Sequence, residues 1–187
     1  EYSTFWTWRA TQEAAYGTYW STRSTQESAR NLSAVLAGNA KIVFSDEHEA
    51  ELLADLQRLY LSRDERQALL LHSNALLTSY ALRAGYQVGQ AAPRDLLYQL
   101  SLGGPGELLL REESRGQQGT DVSVRNRSLS VFGLDPYIRY DCPLSGIRCV
   151  LHNPADGTPL LSVLRDQQGA EELAKALSFL LRNLQQN

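Results

Sequence analysis

The spacing of hydrophobic positions changes along the chain, and each spacing predicts a different element. In residues 1–38, Ala29, Leu32 and Leu36 recur at helical intervals among polar side chains, the narrow stripe of a long helix that packs on one side. Tyr2, Phe5, Trp6, Trp8, Tyr16, Tyr19 and Trp20 crowd its opening around Arg9. They suit either the belt where a helix leaves a membrane or aromatics packed on a partner or on the core. A second helix is predicted from Ser45. Serine is a good N-cap, Asp46 and Glu47 complement the first-turn dipole, and Leu52, Leu53, Leu56 and Leu59 carry the apolar repeat. The acidic cluster around His48 therefore needs no metal, and Glu51 and Asp55 continue the solvated face.

Residues 63–85 admit two readings. Ala and Leu dominate and no Gly or Pro occurs before Gly85, which favours helix. Yet ALLLH and ALLTSYA flank His72-Ser73-Asn74, which also fits a hairpin over 67–81. PRDLLYQL reads as a short helical piece before the GGPG turn, so residues 39–106 are expected to be mainly helical.

From Glu107 the periodicity shortens. Over 107–165, ELLLREE, DVSVRN, SLSVFG, a cysteine hairpin and PLLSVLR read as five or six strands, with turns at RGQQGT and NPADGT. That succession predicts an antiparallel sheet. Helical spacing returns over 169–186. There Ala170, Leu173, Leu177, Leu180, Leu181 and Leu184 share a face, with Glu171, Glu172, Lys175 and Arg182 largely away from it. The expected fold is a single α+β domain over 1–187, with a long N-terminal helix, an antiparallel sheet in the C-terminal half and a C-terminal helix.

The cysteines speak to compartment. In YIRYDCPLSGIRCVLHN, Ile138, Tyr140 and Cys142 alternate with Tyr137, Arg139 and Asp141, and Ile147, Cys149 and Leu151 rejoin the apolar face. A hairpin loop centred on Ser145 and Gly146 sets Cys142 opposite Cys149. Cross-strand Cα separations of about 4.5–5.5 Å are within reach of a disulfide, which points to an oxidising compartment. Two reduced cysteines packed as small hydrophobes are the alternative.

Composition narrows the partners. The net charge is −3, and arginine outnumbers lysine 16 to 2. No basic face stands out, so nucleic acid is not an expected partner. No window reaches the roughly 18–20 apolar residues that span a bilayer. A chain that begins at Glu1 and contains no methionine is expected to be processed or excised from a longer protein. His48, His72 and His152 stand in no ligand spacing, and no nucleophile elbow, Walker loop or dinucleotide fingerprint occurs. Neither catalysis, a metal nor a cofactor is expected of this region.

The segment ARNLSAVLAGNAKIVFSDEHEAELLADLQRL resembles the entry of CHASE-type, PAS-like periplasmic sensor domains. The similar features are Asn39, Phe44-x-Asp46, Ala50-x-x-Leu53 and Leu56. These domains belong to membrane-anchored bacterial receptors of the diguanylate cyclase or histidine kinase type. The resemblance covers roughly residues 28–83. It implies a PAS-like sheet and a strand-turn-strand at ALLLHSNALLTSYA, where Ser73-Asn74 replaces the usual Asp/Gly pair.

It also implies a ligand or partner site on the sheet face and the helix across it, to which Tyr80, Arg83, Arg139, Tyr140 and His152 could contribute. In the cysteine register Arg139 faces His152, opposite the Tyr140 face, so the five cannot all line one pocket. The expected function is non-catalytic sensing of a small molecule or periplasmic protein for a membrane-tethered receptor, with any enzymatic output domain elsewhere. The inner membrane would lie next to missing flanking segments, and a homodimer would cover the N-terminal stripe. The alternative is a free or lipid-anchored periplasmic adaptor or inhibitor that binds another protein.

Overall fold

The structure, a computed structural model, describes residues 46–118 and 120–186. The helix expected over 1–38, its aromatic cluster and Ser45 lie outside the described residues. Where one domain is expected, the chain divides into two units, Glu1–Ser62 and Arg63–Asn187.

In the first unit, α1 (Asp46–Leu59) starts at the acidic turn, and Leu52 and Leu56 of its stripe are buried. It ends with Ser62 N–H donating to Gln57 O (3.0 Å) and Leu61 N–H to Arg58 O (3.4 Å). Leu61 occupies the left-handed region at φ 51°, the geometry of a Schellman terminus usually occupied by glycine.

In the second unit, α2 (Glu65–Ser79) settles the ambiguity of 63–85 as helix, and no hairpin forms over 67–81. Asp64 caps it by accepting from Arg66 N–H (2.9 Å) and Gln67 N–H (3.3 Å). The turn-forming residues act inside the helix instead of breaking it. Ser73 Oγ donates to Leu69 O (2.8 Å), and Asn74 reaches across to a strand.

A 3₁₀ turn (Ala84–Tyr86) leads to β1 (Arg94–Leu102), β2 (Glu107–Gly116) and β3 (Val122–Ser130), an antiparallel sheet in the order β1-β2-β3. Two expectations are corrected here. PRDLLYQL is not helical: residues 94–102 pair with 108–116 along their full length, so pairing overrides the helical propensity of Leu and Gln. The period-2 signal was present, since Tyr98 and Leu100 are buried while Gln99 and Ser101 are exposed. DVSVRN and SLSV are one strand, not two, because nothing interrupts their pairing with β2.

The second sheet contains β4 (Tyr140–Asp141), β5 (Arg148–His152) and β6 (Pro159–Leu164), also antiparallel and in chain order. The strands thus form two three-stranded sheets where a single sheet is expected. Tyr80–Leu82 lies between them: Leu164 N–H donates to Tyr80 O (2.9 Å), and Leu96 N–H to Leu82 O (2.8 Å). The register Tyr140↔Leu151 and Asp141↔Val150 places Cys142 opposite Cys149, and the disulfide forms there with an S–S length of 2.04 Å and a Cα separation of 4.3 Å.

Helix α3 (Gln167–Gln185) is capped by Asp166, which accepts from Gly169 N–H (2.8 Å). Its six predicted core residues are all buried, and so is Glu172, contrary to its expected outward position. Ala174, Ala176, Ser178 and Phe179 are buried too, so α3 is covered on more than one side.

Helices α2 and α3 run antiparallel and are fastened at both ends. Arg66 Nε and Nη2 donate to Asn183 Oδ1 (2.8 Å) and Asn183 O (3.0 Å), a cation at a helix C-terminus where the dipole favours it. At the other end the Tyr80 ring lies against Gly169, with no room for a Cβ. No helix among the described residues is long and apolar enough to cross a membrane.

Candidate functional site

The alternation along β1, β2 and β3 places Leu100, Leu108, Leu110 and Leu129 on one face of the first sheet, all buried. Leu161 of β6, Ile138, and Leu177 and Leu181 of α3 oppose them. Between these walls lies a small cleft of about 50 Å³, partly open to solvent. Its lining is aliphatic, with Arg127, Ser128 and Asn153 as its polar residues. A cleft of this size admits a small apolar group, such as one side chain, beside one or two polar anchors.

Arg127 joins the sheets at this cleft. Its Nη2 donates to Leu160 O and its Nη1 to Pro159 O (3.4 Å), while Glu112 Oε2 lies 3.6 Å from Nη2. Its Nε is buried and makes no hydrogen bond, an N–H that an incoming acceptor could satisfy. Glu112 also meets Arg125 at 3.3 Å, so one carboxylate faces two guanidiniums. Nearby, Tyr98 Oη accepts from Ser162 N–H (3.1 Å). Burial pushes the Tyr98 phenol up to about 12; the Ser162 bond opposes the shift and Glu112 adds to it. On the opposite face, Arg115 and then Arg111 hold the Glu113 carboxyl below its ordinary range.

None of the five residues expected at a binding site lines this cleft. Tyr80 ends α2 and contributes its carbonyl to the junction with β6. Arg83 precedes the 3₁₀ turn, and its carbonyl accepts from Tyr86 N–H and from Gln87 Nε2. The other three come together in the cysteine hairpin. Arg139 O accepts from His152 N–H (2.9 Å), as the register predicts, and Arg139 is exposed. His152 Nε2 lies 2.7 Å from Asp141 Oδ2 and its Nδ1 lies 3.2 Å from Gly157 O. Tyr140 is partly buried opposite Leu151, and burial followed by Glu171 raises its phenol above the ordinary value. His72 is a core residue of α2.

Sequence reading missed Arg127, Glu112 and Tyr98. Arg125, Arg127 and Leu129 alternate within β3, which would have put the two cations on a core-facing side. That β6 lies against them could not be read from the chain. No family model matches this chain, and no curated protein or solved structure does either.

Proposed function

We propose that this chain is a non-catalytic, PAS-like periplasmic sensor domain of a membrane-tethered signalling receptor, and that the cleft between its sheets receives the ligand or partner group. The observation that carries this reading is the composition of the cleft's walls. Two belong to the sheets and the third to α3, through Leu177 and Leu181. A group that fills the cleft bears directly on α3, whose far end is tied by Gln185 Nε2 to Val131 O (2.8 Å) and Leu134 O (2.7 Å). Occupancy would thereby bias the position of the C-terminal helix, by no more than the ligand's difference in affinity for the two positions. The Cys142–Cys149 disulfide supports a compartment outside the reducing cytosol.

The test uses the full-length protein in its own cell. Alkylation and mass mapping without reduction should recover Cys142 linked to Cys149, and Leu110→Trp, which fills the cleft, should shift receptor output while the protein accumulates normally. Free thiols in the native protein, or output unchanged by a folded cleft-filled variant, would overturn the reading.

A further inference from the structure

Natural sheets pair, cover or blunt their edges, because a row of free N–H and C=O groups is a template for another strand. The outer edge of β1 is partly covered. The Gln87 amide holds Arg94 N–H and C=O, Leu82 O takes Leu96 N–H, and the Asn74 amide holds both groups of Leu100. The outer edge of β6 is also covered: Leu164 and Ser162 donate to Tyr80 O and Tyr98 Oη, and Leu160 O accepts from Arg127.

Strand β3 differs. Gly116 N–H donates to Asp121 O, and Val131 N–H to Gly106 O (2.8 Å each). These bonds fix the phase of the β2–β3 ladder, so the odd-numbered residues of β3 bond to β2. Val122, Val124, Asn126, Ser128 and Ser130 turn their N–H and C=O groups outward, and among the described residues nothing takes them. Along the nine residues of β3 only Leu129 is buried, and Val122 and Val124 are each 46% exposed.

We propose that β3 is a docking edge for an extended, acidic segment of a partner protein, which adds to the first sheet as a fourth strand. This rests on the reading of the chain as an extracytoplasmic binding domain and names the partner's chemistry. Main-chain bonds to the five outward residues supply affinity, and side chains alternating on the two faces supply specificity. Charge selects the occupant. Arg125 and Arg127, the charged residues of β3, share one carboxylate, Glu112, whereas Arg111 and Arg115 on the opposite face of β2 pair with Glu113.

This local excess of cations along β3 lies on a chain of net charge −3. Acidic side chains of the added strand would meet Arg125 and Arg127, and those between them would cover Val122 and Val124. An aliphatic residue beside Leu129 would enter the cleft. A second copy fits less well. Antiparallel two-fold pairing along the whole of β3, centred on Asn126, sets Arg125 of one copy against Arg127 of the other.

The test is fluorescence anisotropy of the disulfide-bonded chain with a labelled synthetic peptide in which Glu alternates with Val and Leu, compared with its Lys-for-Glu counterpart. Val124→Pro removes an outward N–H without removing a ladder bond, and Arg125→Glu reverses an exposed charge. The acidic peptide should bind and the basic one should not, with each variant weakening binding by roughly tenfold or more. Three results would overturn the proposal: no binding of the acidic peptide to the unaltered chain, equal binding by both variants, or a sedimenting dimer that Val124→Pro dissociates. Thiol mapping and receptor output test the broader reading independently, so either can fail alone.

Discussion

The side-chain amide of Asn74 replaces a neighbouring strand for Leu100: its Nδ2 donates to Leu100 O (2.9 Å) and its Oδ1 accepts from Leu100 N–H (2.8 Å). One helical side chain thus satisfies both outward backbone groups of a residue near the C-terminal end of β1 and ties α2 to the sheet. Asn74→Ala leaves that donor and acceptor without partners at a partly buried site. The expected cost is about 2–3 kcal/mol, read as a lower urea midpoint with an unchanged slope.

Gly169→Ala should destabilise, although alanine favours helix over glycine by about 1 kcal/mol. The new methyl group would meet the Tyr80 ring, and overpacking of this kind costs roughly 1–3 kcal/mol. Combining it with Tyr80→Ala should cost less than the sum of the two single changes, and a double-mutant cycle by chemical denaturation measures that coupling.

Reduction should weaken the fold. Cys142 and Cys149 are separated by 7 in sequence, and releasing a loop this short costs about 2–3 kcal/mol in the chain-entropy model. Thermal unfolding with and without reductant should show the loss, and Cys142→Ser should reproduce it and abolish the response to reductant.

Alkaline pH should destabilise the protein through Tyr98. Its phenol titrates at about 12 in the folded chain against about 10 when unfolded, so the native state holds the proton more tightly. The contribution, on the order of 2–3 kcal/mol, is complete below pH 10 and is lost as pH rises through 12. Tyr98→Phe should flatten that limb between pH 10 and 12, at the cost of about 1 kcal/mol near neutrality for the unaccepted Ser162 N–H.

Leu61→Gly should stabilise α1. Leu61 holds a left-handed φ of 51° and is 80% exposed, so glycine relieves backbone strain of about 1 kcal/mol while giving up little packing. A higher urea midpoint would register the gain.

By itself the sequence determined what depends on neighbours along the chain. The acidic start of α1, the apolar face of α3, the turns at GGPG and NPADGT, and the opposition of Cys142 to Cys149 all follow from spacing within a few residues, because helical and strand periods are local geometry. The register even set Arg139 against His152. Tertiary structure decided what depends on residues far apart. PRDLLYQL became a strand because β2 offered it a complete ladder, and His72-Ser73-Asn74 stayed helical because Asn74 found its partner 26 residues away at Leu100. The division into two sheets, the Arg127 bridge to β6 and the open edge of β3 arise from where whole elements come to rest. Backbone groups must find partners wherever the fold provides them, and periodicity carries no record of which distant groups those will be.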